Sequence, residues 1–211
     1  MNWRIAVVVF CLYGTPAVTI GELVEGQDYV VINAQPIERG ERIEVIEFFY
    51  YGCRSCYLLE PLLRDWVVRR SAQIDFRLIP ALRRSEWVPL SAFFFALHSL
   101  ELIPLLHDRV YVAIHEQNRR LSSRSEQIRW VREQGVDSGA MEAALDSDAI
   151  AIATQNAKDA TQVYGISATP SIVFDGRYLT TGEMIGNASR VFHVLDGLFE
   201  MVLAGRDGAS Q

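Results

Sequence analysis

The sequence is poor in cysteine and in lysine. Its 211 residues include only three cysteines, and Lys158 is the single lysine. So few cysteines exclude the dense disulfide framework that holds many small secreted domains together. The formal net charge is −6 and there is no basic run, which argues against sequence-independent binding to nucleic acid. We therefore expect no nucleic-acid partner.

No hydrophobic run reaches the ~20 residues that a membrane-spanning helix needs. The apolar run Ile5–Tyr13 follows Arg4 and is followed by glycine, proline and small residues, which is typical of a secretory signal peptide. We expect residues 1–19 to be this signal, with cleavage near residues 17–19 and a soluble mature protein. Cys11 would leave with the signal. A buried N-terminal strand or an uncleaved anchor is the alternative.

The hydrophobic period changes twice along the chain. Residues 20–84 contain two β-branched or aromatic runs around one helical pattern, which indicates a parallel strand–helix–strand unit. Residues 85–164 are helical in period throughout. Residues 165–204 return to strands around Asp175-Gly176, a strong hairpin signal, and then to a last helix. These patterns predict an α/β fold with an inserted all-helical subdomain, followed by a flexible tail at residues 205–211.

The predicted elements follow from these periods, and we expect Ser125 to cap the helix that it begins. The predicted strands are Tyr29–Ile32, Ile43–Tyr51, Ile74–Ile79, Ser171–Phe174 and Arg177–Thr180. The predicted helices are Arg54–Arg70, Pro89–Leu100, Pro104–Gln117, Ser125–Gln134, Ser138–Leu145, Asp148–Tyr164 and a last helix that begins at Asn187 or Ser189.

Cys53 and Cys56 are separated by two residues at the junction of a predicted strand and helix. Positions i and i+3 of a helix lie ~5–6 Å apart on one face, within the Cα separation that a disulfide allows. The first cysteine meets the free N–H groups of the helix start, which favour a thiolate. We therefore expect Cys53 to be the attacking or attacked sulfur, and the buried Cys56 to resolve the mixed disulfide.

The cysteine pair has two alternative interpretations, a structural zinc site and a copper-binding site. A structural zinc site would need a second pair of ligands, and the four histidines show no ligand spacing near one another. They are His98, His107, His115 and His193. Two thiolates could hold Cu(I) in a non-enzymatic chaperone, although no cluster of methionine and histidine accompanies them. We expect no metal site, and the copper chaperone stays an alternative.

The residues around the pair resemble the active-site region of DsbA-type oxidoreductases. The resemblance rests on Ile46-Glu47-Phe48-Phe49, on Cys53-Arg54-Ser55-Cys56-Tyr57 with Pro61, and on Gly165–Ser171 after the helical insertion. It covers roughly residues 26–203. It implies a thioredoxin-like fold, no cofactor beyond the redox-active disulfide, and oxidation of thiols in exported proteins. Isomerase or reductase activity on the same fold is the alternative.

The resemblance also implies roles for three further residues. Glu47 matches the buried acid of thioredoxin-like proteins, and a carboxyl in so apolar a run should have a raised pKa. It could then exchange a proton with Cys56; pairing with an arginine is the alternative. Pro170 matches the cis-proline of the family, where the preceding residue, here Thr169, presents its backbone to a substrate strand.

The segment between the cysteines departs from the family. The best-known members carry Pro-His there, whereas this chain carries Arg54-Ser55. These two residues occupy the positions that tune the thiolate, so we expect a milder oxidant than a Pro-His enzyme. The resemblance further implies a periplasmic location and reoxidation by a DsbB-like membrane partner. No dimerisation domain is visible, and we expect a monomer.

Overall fold

The computed structural model describes residues 22–33 and 40–208. The expected signal peptide and Cys11 lie outside these residues. The strands are β1 (Val30–Val31), β2 (Ile43–Phe49), β3 (Ile74–Pro80), β4 (Ser171–Phe174) and β5 (Tyr178–Thr181). The helices are α1 (Arg54–Arg70), α2 (Val88–Ser99), α3 (Ile103–His115), α4 (Arg124–Glu133), α5 (Ser138–Leu145), α6 (Asp148–Val163), α7 (Gly182–Ile185) and α8 (Val191–Gly208).

The five strands form one mixed sheet in the order β1-β5-β4-β2-β3. β2 pairs with β3 in parallel, and α1 makes the crossover between them. β4 runs antiparallel to both β2 and β5, and β5 joins β4 through the predicted Asp175-Gly176 turn. Both turn residues have positive φ, 52° and 63°, as the tight hairpin turns between strands require. β2 therefore lies between β4 and the edge strand β3, and its carboxyl end lies beside the start of β4.

β2 is buried on both faces, as its apolar run predicts. Val45 packs into a core with α1 and α8, while Ile46 and Phe48 pack into a core on the opposite face. Phe49 reaches a third core, which is formed mainly by the helices between α2 and α5. One strand thus connects the sheet to the helical layer, and the segment that follows it lies where the layers meet.

The stretch between β3 and β4 contains only helices, from the 3₁₀ turn Ser85–Trp87 to the end of α6. This agrees with the predicted helical insertion. The separation of the chain into domains at residues 84 and 164 stays a prediction.

Three local expectations were wrong. β2 ends at Phe49 rather than at Tyr51, because the next residues turn toward α1. The cap of α4 is Ser123, not Ser125: Ser123 accepts from the Glu126 N–H while the Glu126 carboxylate accepts from the Ser123 N–H, a complete capping box. The expected tail from Gly205 is helical as far as Gly208.

Arg206 explains why the last helix continues. Its guanidinium binds the Asp175 carboxylate in the β4–β5 turn and donates to the carbonyls of Gly40 and Arg42 at 2.9 and 3.2 Å. These bonds attach the final turns of α8 to the sheet, so this part of the predicted tail has a fixed place.

Candidate active site

Cys53 lies at the N-cap of α1, directly after a turn that leaves β2. Its backbone N–H donates to the Tyr50 carbonyl at 2.9 Å. Its sulfur accepts from the Cys56 backbone N–H at 3.4 Å. Both cysteines are free thiols in this structure, Cys53 partly exposed and Cys56 buried. The strand and helix thus bring the predicted pair together as expected, with only the first sulfur open to a reactant.

Gly52 makes this turn possible. A Cβ at this position would lie 2.4 Å from a ring carbon of Tyr50, which is far inside van der Waals contact. The Tyr50 ring is in turn stacked on Trp87, with ring centroids 4.1 Å apart and planes 4° from parallel. The sequence reasoning did not single out Gly52, although a glycine immediately before a helix-capping cysteine is a visible signal of a tight approach.

The pKa values of the two thiols are shifted in opposite directions. The pKa of Cys53 is lowered to about 5, first by a hydrogen bond from the Cys56 thiol, against the opposing effect of burial. The Thr169 side chain and the backbone N–H groups of Cys56 and Ser55 lower it further. Burial raises the pKa of Cys56 well above its usual value of 9.0. Near neutral pH the outer sulfur is therefore a thiolate and the inner one a thiol.

Glu47 is fully buried in the middle of β2. Within the described part of the chain, neither of its carboxyl oxygens has a hydrogen-bond partner, so the alternative of an arginine pair is wrong. Burial raises its pKa well above 4.5, and the charges of Glu60 and Cys53 raise it further. The charge of Glu47 also raises the pKa of Cys56, which places the carboxyl within electrostatic reach of the inner sulfur.

Thr169 and Pro170 lie opposite the cysteine pair. Their peptide bond is cis, as the resemblance implies. In its thiol form Cys53 donates to the Thr169 carbonyl at 3.2 Å. The Pro170 carbonyl accepts from the Gly182 N–H at 2.9 Å, and the proline ring packs closely against that glycine. The loop before β4 is thus fixed with the Thr169 backbone beside the reactive sulfur.

Arg54 and Ser55 are both exposed in the first turn of α1. The guanidinium of Arg54 lies over the Tyr57 ring, 5.1 Å from its centroid, rather than over the sulfur. Ser55 lines a groove of about 330 Å³ that lies next to the cis-proline. Its other lining residues are mainly apolar: Leu58, Leu59, Leu62, Pro170, Gly182, Ile185, Gly186, Asn187, Ala188 and Val191.

A second buried acid, Glu60, was missed from the sequence. It follows Cys56 by one helical turn on the same face of α1 and is 9% exposed. Its carboxylate pairs with Arg64 at 2.8 Å and lies 3.5 Å from the ring of His107. A signal was present, because the pattern of α1 places an acid between the buried Leu59 and Leu63.

No three histidine, cysteine, aspartate or glutamate side chains in residues 22–33 and 40–208 are grouped as a metal site would require. None of the helices in the same ranges is both long and apolar enough to cross a membrane.

Comparison with known proteins points to one family. The model of the DSBA-like thioredoxin domain matches residues 68–198. The chain is 32% identical over 162 residues to the thiol:disulfide interchange protein DsbA of Bordetella pertussis, covering 76% of this chain and 77% of that protein. The crystal structure of Pseudomonas aeruginosa DsbA superposes with a TM-score of 0.80 at 28% identity, over 86% of this chain and 95% of that one.

The structure of oxidoreductase DsbA from Xylella fastidiosa gives a TM-score of 0.78 at 26% identity, over 87% of this chain and all of that one (100%). These likenesses cover most of the chain. The chain therefore belongs to the DSBA-like thioredoxin domain family, and it is a thiol:disulfide oxidoreductase.

Proposed function

We propose that this protein oxidises pairs of thiols in exported polypeptides, with Cys53 and Cys56 as its redox couple. The observation that carries the proposal is the lowered pKa of Cys53, about 5, beside the raised pKa of Cys56. A thiol of low pKa is a good leaving group in thiol–disulfide exchange. A disulfide that contains Cys53 is therefore readily broken in favour of the Cys53 thiolate, which favours the oxidation of substrates.

The reaction takes two exchanges. A substrate thiolate attacks Cys53 of the disulfide, the Cys53–Cys56 bond breaks, and the Cys56 sulfur leaves with the electron pair and takes up a proton. A second substrate thiolate then attacks the substrate sulfur of the mixed disulfide, and Cys53 leaves as a thiolate. The substrate loses two electrons and two protons. Cys56 keeps one proton and, above pH ~5, the other passes to solvent.

Three residues around the couple support these steps. Glu47 is the acid that exchanges a proton with Cys56, because burial raises its pKa and its charge in turn raises the pKa of the Cys56 thiol. The Thr169 backbone pairs with the extended substrate, and Pro170 keeps that loop turned toward Cys53. The apolar groove beside Ser55 offers the substrate side chains a place to pack.

Arg54 and Ser55 set the strength of the oxidant. The Ser55 N–H contributes to the lowered pKa of Cys53, whereas the Arg54 charge is directed at Tyr57 and partly screened by solvent. Without an imidazole between the cysteines, the thiolate lacks one stabilising group. We therefore propose a milder oxidant than a family member with Pro-His at these positions.

The location and partners follow from the family and from the first residues of the chain. The family resemblance implies a periplasmic location and protein substrates with cysteines, and relatives named thiol:disulfide interchange protein DsbA are in keeping with it. The signal-peptide pattern before residue 20 supports the same location here. We propose a monomer that a membrane protein of the DsbB kind reoxidises.

Oxidative refolding of reduced ribonuclease tests the proposal. The disulfide form of this protein should restore ribonuclease activity stoichiometrically, and the Cys53→Ser variant should restore none. Reduction of insulin without ribonuclease refolding would instead indicate a reductase. Tight Cu(I) binding with no exchange in either assay would favour the copper chaperone.

A further inference from the structure

Helix α3 presents three polar aromatic side chains on one face. His107, Tyr111 and His115 follow one another at intervals of four residues, which places them in a single stripe along the helix. His107 and Tyr111 are buried, and His115 is partly buried. The stripe faces the turn between β2 and α1, and Tyr51 in that turn lies within ring contact of both His107 and Tyr111.

His107 holds the side chain of Tyr51. Its Nδ1 lies 2.8 Å from the Tyr51 hydroxyl, and its Nε2 lies 3.5 Å from the Glu60 carboxylate. A carboxylate only accepts, so a proton on Nε2 is directed at Glu60, while Nδ1 and the Tyr51 hydroxyl share one hydrogen bond. The Tyr51 side chain is 1% exposed, so no solvent competes for this bond.

His115 holds the backbone of the same residue. Its Nε2 donates to the Tyr51 carbonyl at 2.8 Å. Its ring stacks on Tyr57, with centroids 5.1 Å apart and planes 13° from parallel. Two residues of α3 therefore form hydrogen bonds with Tyr51, His107 with its hydroxyl and His115 with its carbonyl. We call Tyr51, His107 and His115 the Tyr51 clamp.

The clamp lies directly before the reactive sulfur. Tyr51 precedes Cys53 by two residues, and the Cys53 N–H is bound to the carbonyl of Tyr50. The turn is exposed at Gly52, and the Tyr50 ring stacks on Trp87, so α3 supplies the hydrogen bonds that fix the turn at Tyr51. A turn that is free to tilt would carry the sulfur away from the N–H groups of the first turn of α1, which favour its thiolate.

We propose that His107 and His115 are positioning residues for thiol–disulfide exchange, which hold Cys53 at the N-cap of α1 by fixing Tyr51. This inference rests on the proposed function, because it takes the Cys53 thiolate as the reacting group. The charged groups around the two histidines are Glu60 and Arg64 on α1, Asp108 on α3, and Glu116 directly after α3.

The decisive variant is His115→Phe, which keeps a ring to stack on Tyr57 and removes the donor to the Tyr51 carbonyl. We expect the thiolate absorbance of reduced Cys53 near 240 nm to appear with a midpoint about one pH unit higher than in the parent, as loss of helix-terminus stabilisation implies. His115→Gln, which retains an N–H donor, should return the midpoint toward the parent value.

Two further variants complete the design. Tyr51→Phe loses only the hydroxyl that His107 holds, and we expect a shift in the same direction but smaller. His98→Phe replaces an exposed histidine on α2 that lies outside the clamp, and it should leave the midpoint unchanged. Circular dichroism and urea unfolding establish that each variant is folded.

An unchanged midpoint in folded His115→Phe would overturn the proposal. If that variant fails to fold, Tyr51→Phe decides, because the loss of one oxygen leaves the packing intact, and an unchanged midpoint there refutes the clamp equally. The titration needs no substrate. A parent protein that shows a low thiolate midpoint but does not refold ribonuclease would therefore refute the proposed function and not the clamp.

Discussion

Cys53 and Cys56 are the same side chain in opposite surroundings. The outer sulfur receives hydrogen bonds from the inner thiol and from the helix start, whereas the inner sulfur is buried among apolar groups beside the Glu47 carboxyl. Hydrogen bonds favour the charged form of a thiol, and burial disfavours it. A difference of three positions at the start of α1 therefore separates a sulfur that is a thiolate near neutral pH from one that holds its proton.

Thr169 provides a direct test of this thiolate stabilisation. Its side chain is among the groups that lower the pKa of Cys53, so Thr169→Val should raise that pKa above about 5 by removing the hydroxyl while keeping the shape. The rate of Cys53 alkylation by iodoacetamide against pH measures the shift. Thr169→Ser keeps the hydroxyl and should behave like the parent; equal profiles for the valine and serine variants would contradict the prediction.

Glu47→Gln should slow the step in which Cys56 resolves a mixed disulfide. The glutamine keeps the size of the side chain but cannot take up the proton that Cys56 must release before it attacks. The rate of the first attack by Cys53 should stay nearly unchanged, because Cys53 is already a thiolate above pH ~5. Stopped-flow fluorescence with a cysteine-containing peptide separates the two rates. A variant that resolves the mixed disulfide as fast as the parent refutes this role.

The residues that the sequence revealed share a local signal. Cys53 and Cys56 were found by their spacing, and Glu47 by the resemblance of its segment to the buried acid of thioredoxin-like proteins. Tyr51 and His115 were not found, since their hydrogen bond joins positions 64 residues apart and leaves no short pattern. The interval of four between the α3 histidines and Tyr111 is visible in the sequence, but it does not say what the stripe faces.

At the scale of elements, the boundaries of α1 to α6 were predictable within two residues because period and caps are local, whereas α7 was not predicted and α8 begins at Val191 rather than at Asn187 or Ser189. α1, α5 and β4 have the predicted bounds. The cap of α4 was misplaced although its signature was present: Ser123 stands three residues before Glu126, the spacing of a capping box. The short strand β1 depends on pairing with β5, a long-range contact that fixes its length.

The α4 cap predicts a difference between two neighbouring serines. Ser123→Ala should reduce the free energy of unfolding by about 1 kcal/mol, because the Glu126 N–H loses its acceptor. Ser125→Ala, in the exposed first turn of the same helix, should change it by less than ~0.5 kcal/mol. Urea unfolding of the two variants measures both values. If Ser125→Ala were the more destabilising, the assigned cap would be wrong.

At the scale of the molecule, three separate parts of the chain converge on one sulfur. β2 and α1 supply Cys53, the loop before β4 supplies Thr169, and α3 holds Tyr51. The α/β order with a helical insertion was predictable from the two changes of period. The meeting of α3 with the active-site turn was not, because it depends on how the helical layer packs against Phe49 and its neighbours.

The lowered pKa of Cys53 predicts that the reduced protein is more stable than its disulfide form near neutral pH. In the unfolded chain this thiol titrates near 9.0, whereas in the folded chain its pKa is about 5, so folding favours the thiolate. This contribution to the free energy of unfolding is complete above the Cys53 pKa of the unfolded chain. It is lost as the pH falls through the Cys53 pKa of the folded chain. The disulfide closes too short a loop to restrict the unfolded chain strongly, so the oxidised form gains little in compensation.

We therefore expect the reduced protein to require more urea for unfolding than the oxidised protein at about pH 7. The difference between the two urea midpoints should narrow toward about pH 4. Tryptophan fluorescence with and without a dithiol reductant measures the two midpoints. In Cys53→Ser, which forms neither the thiolate nor the internal disulfide, the two conditions should give one midpoint. A gap of constant size across this pH range would show that the Cys53 thiolate does not cause the difference.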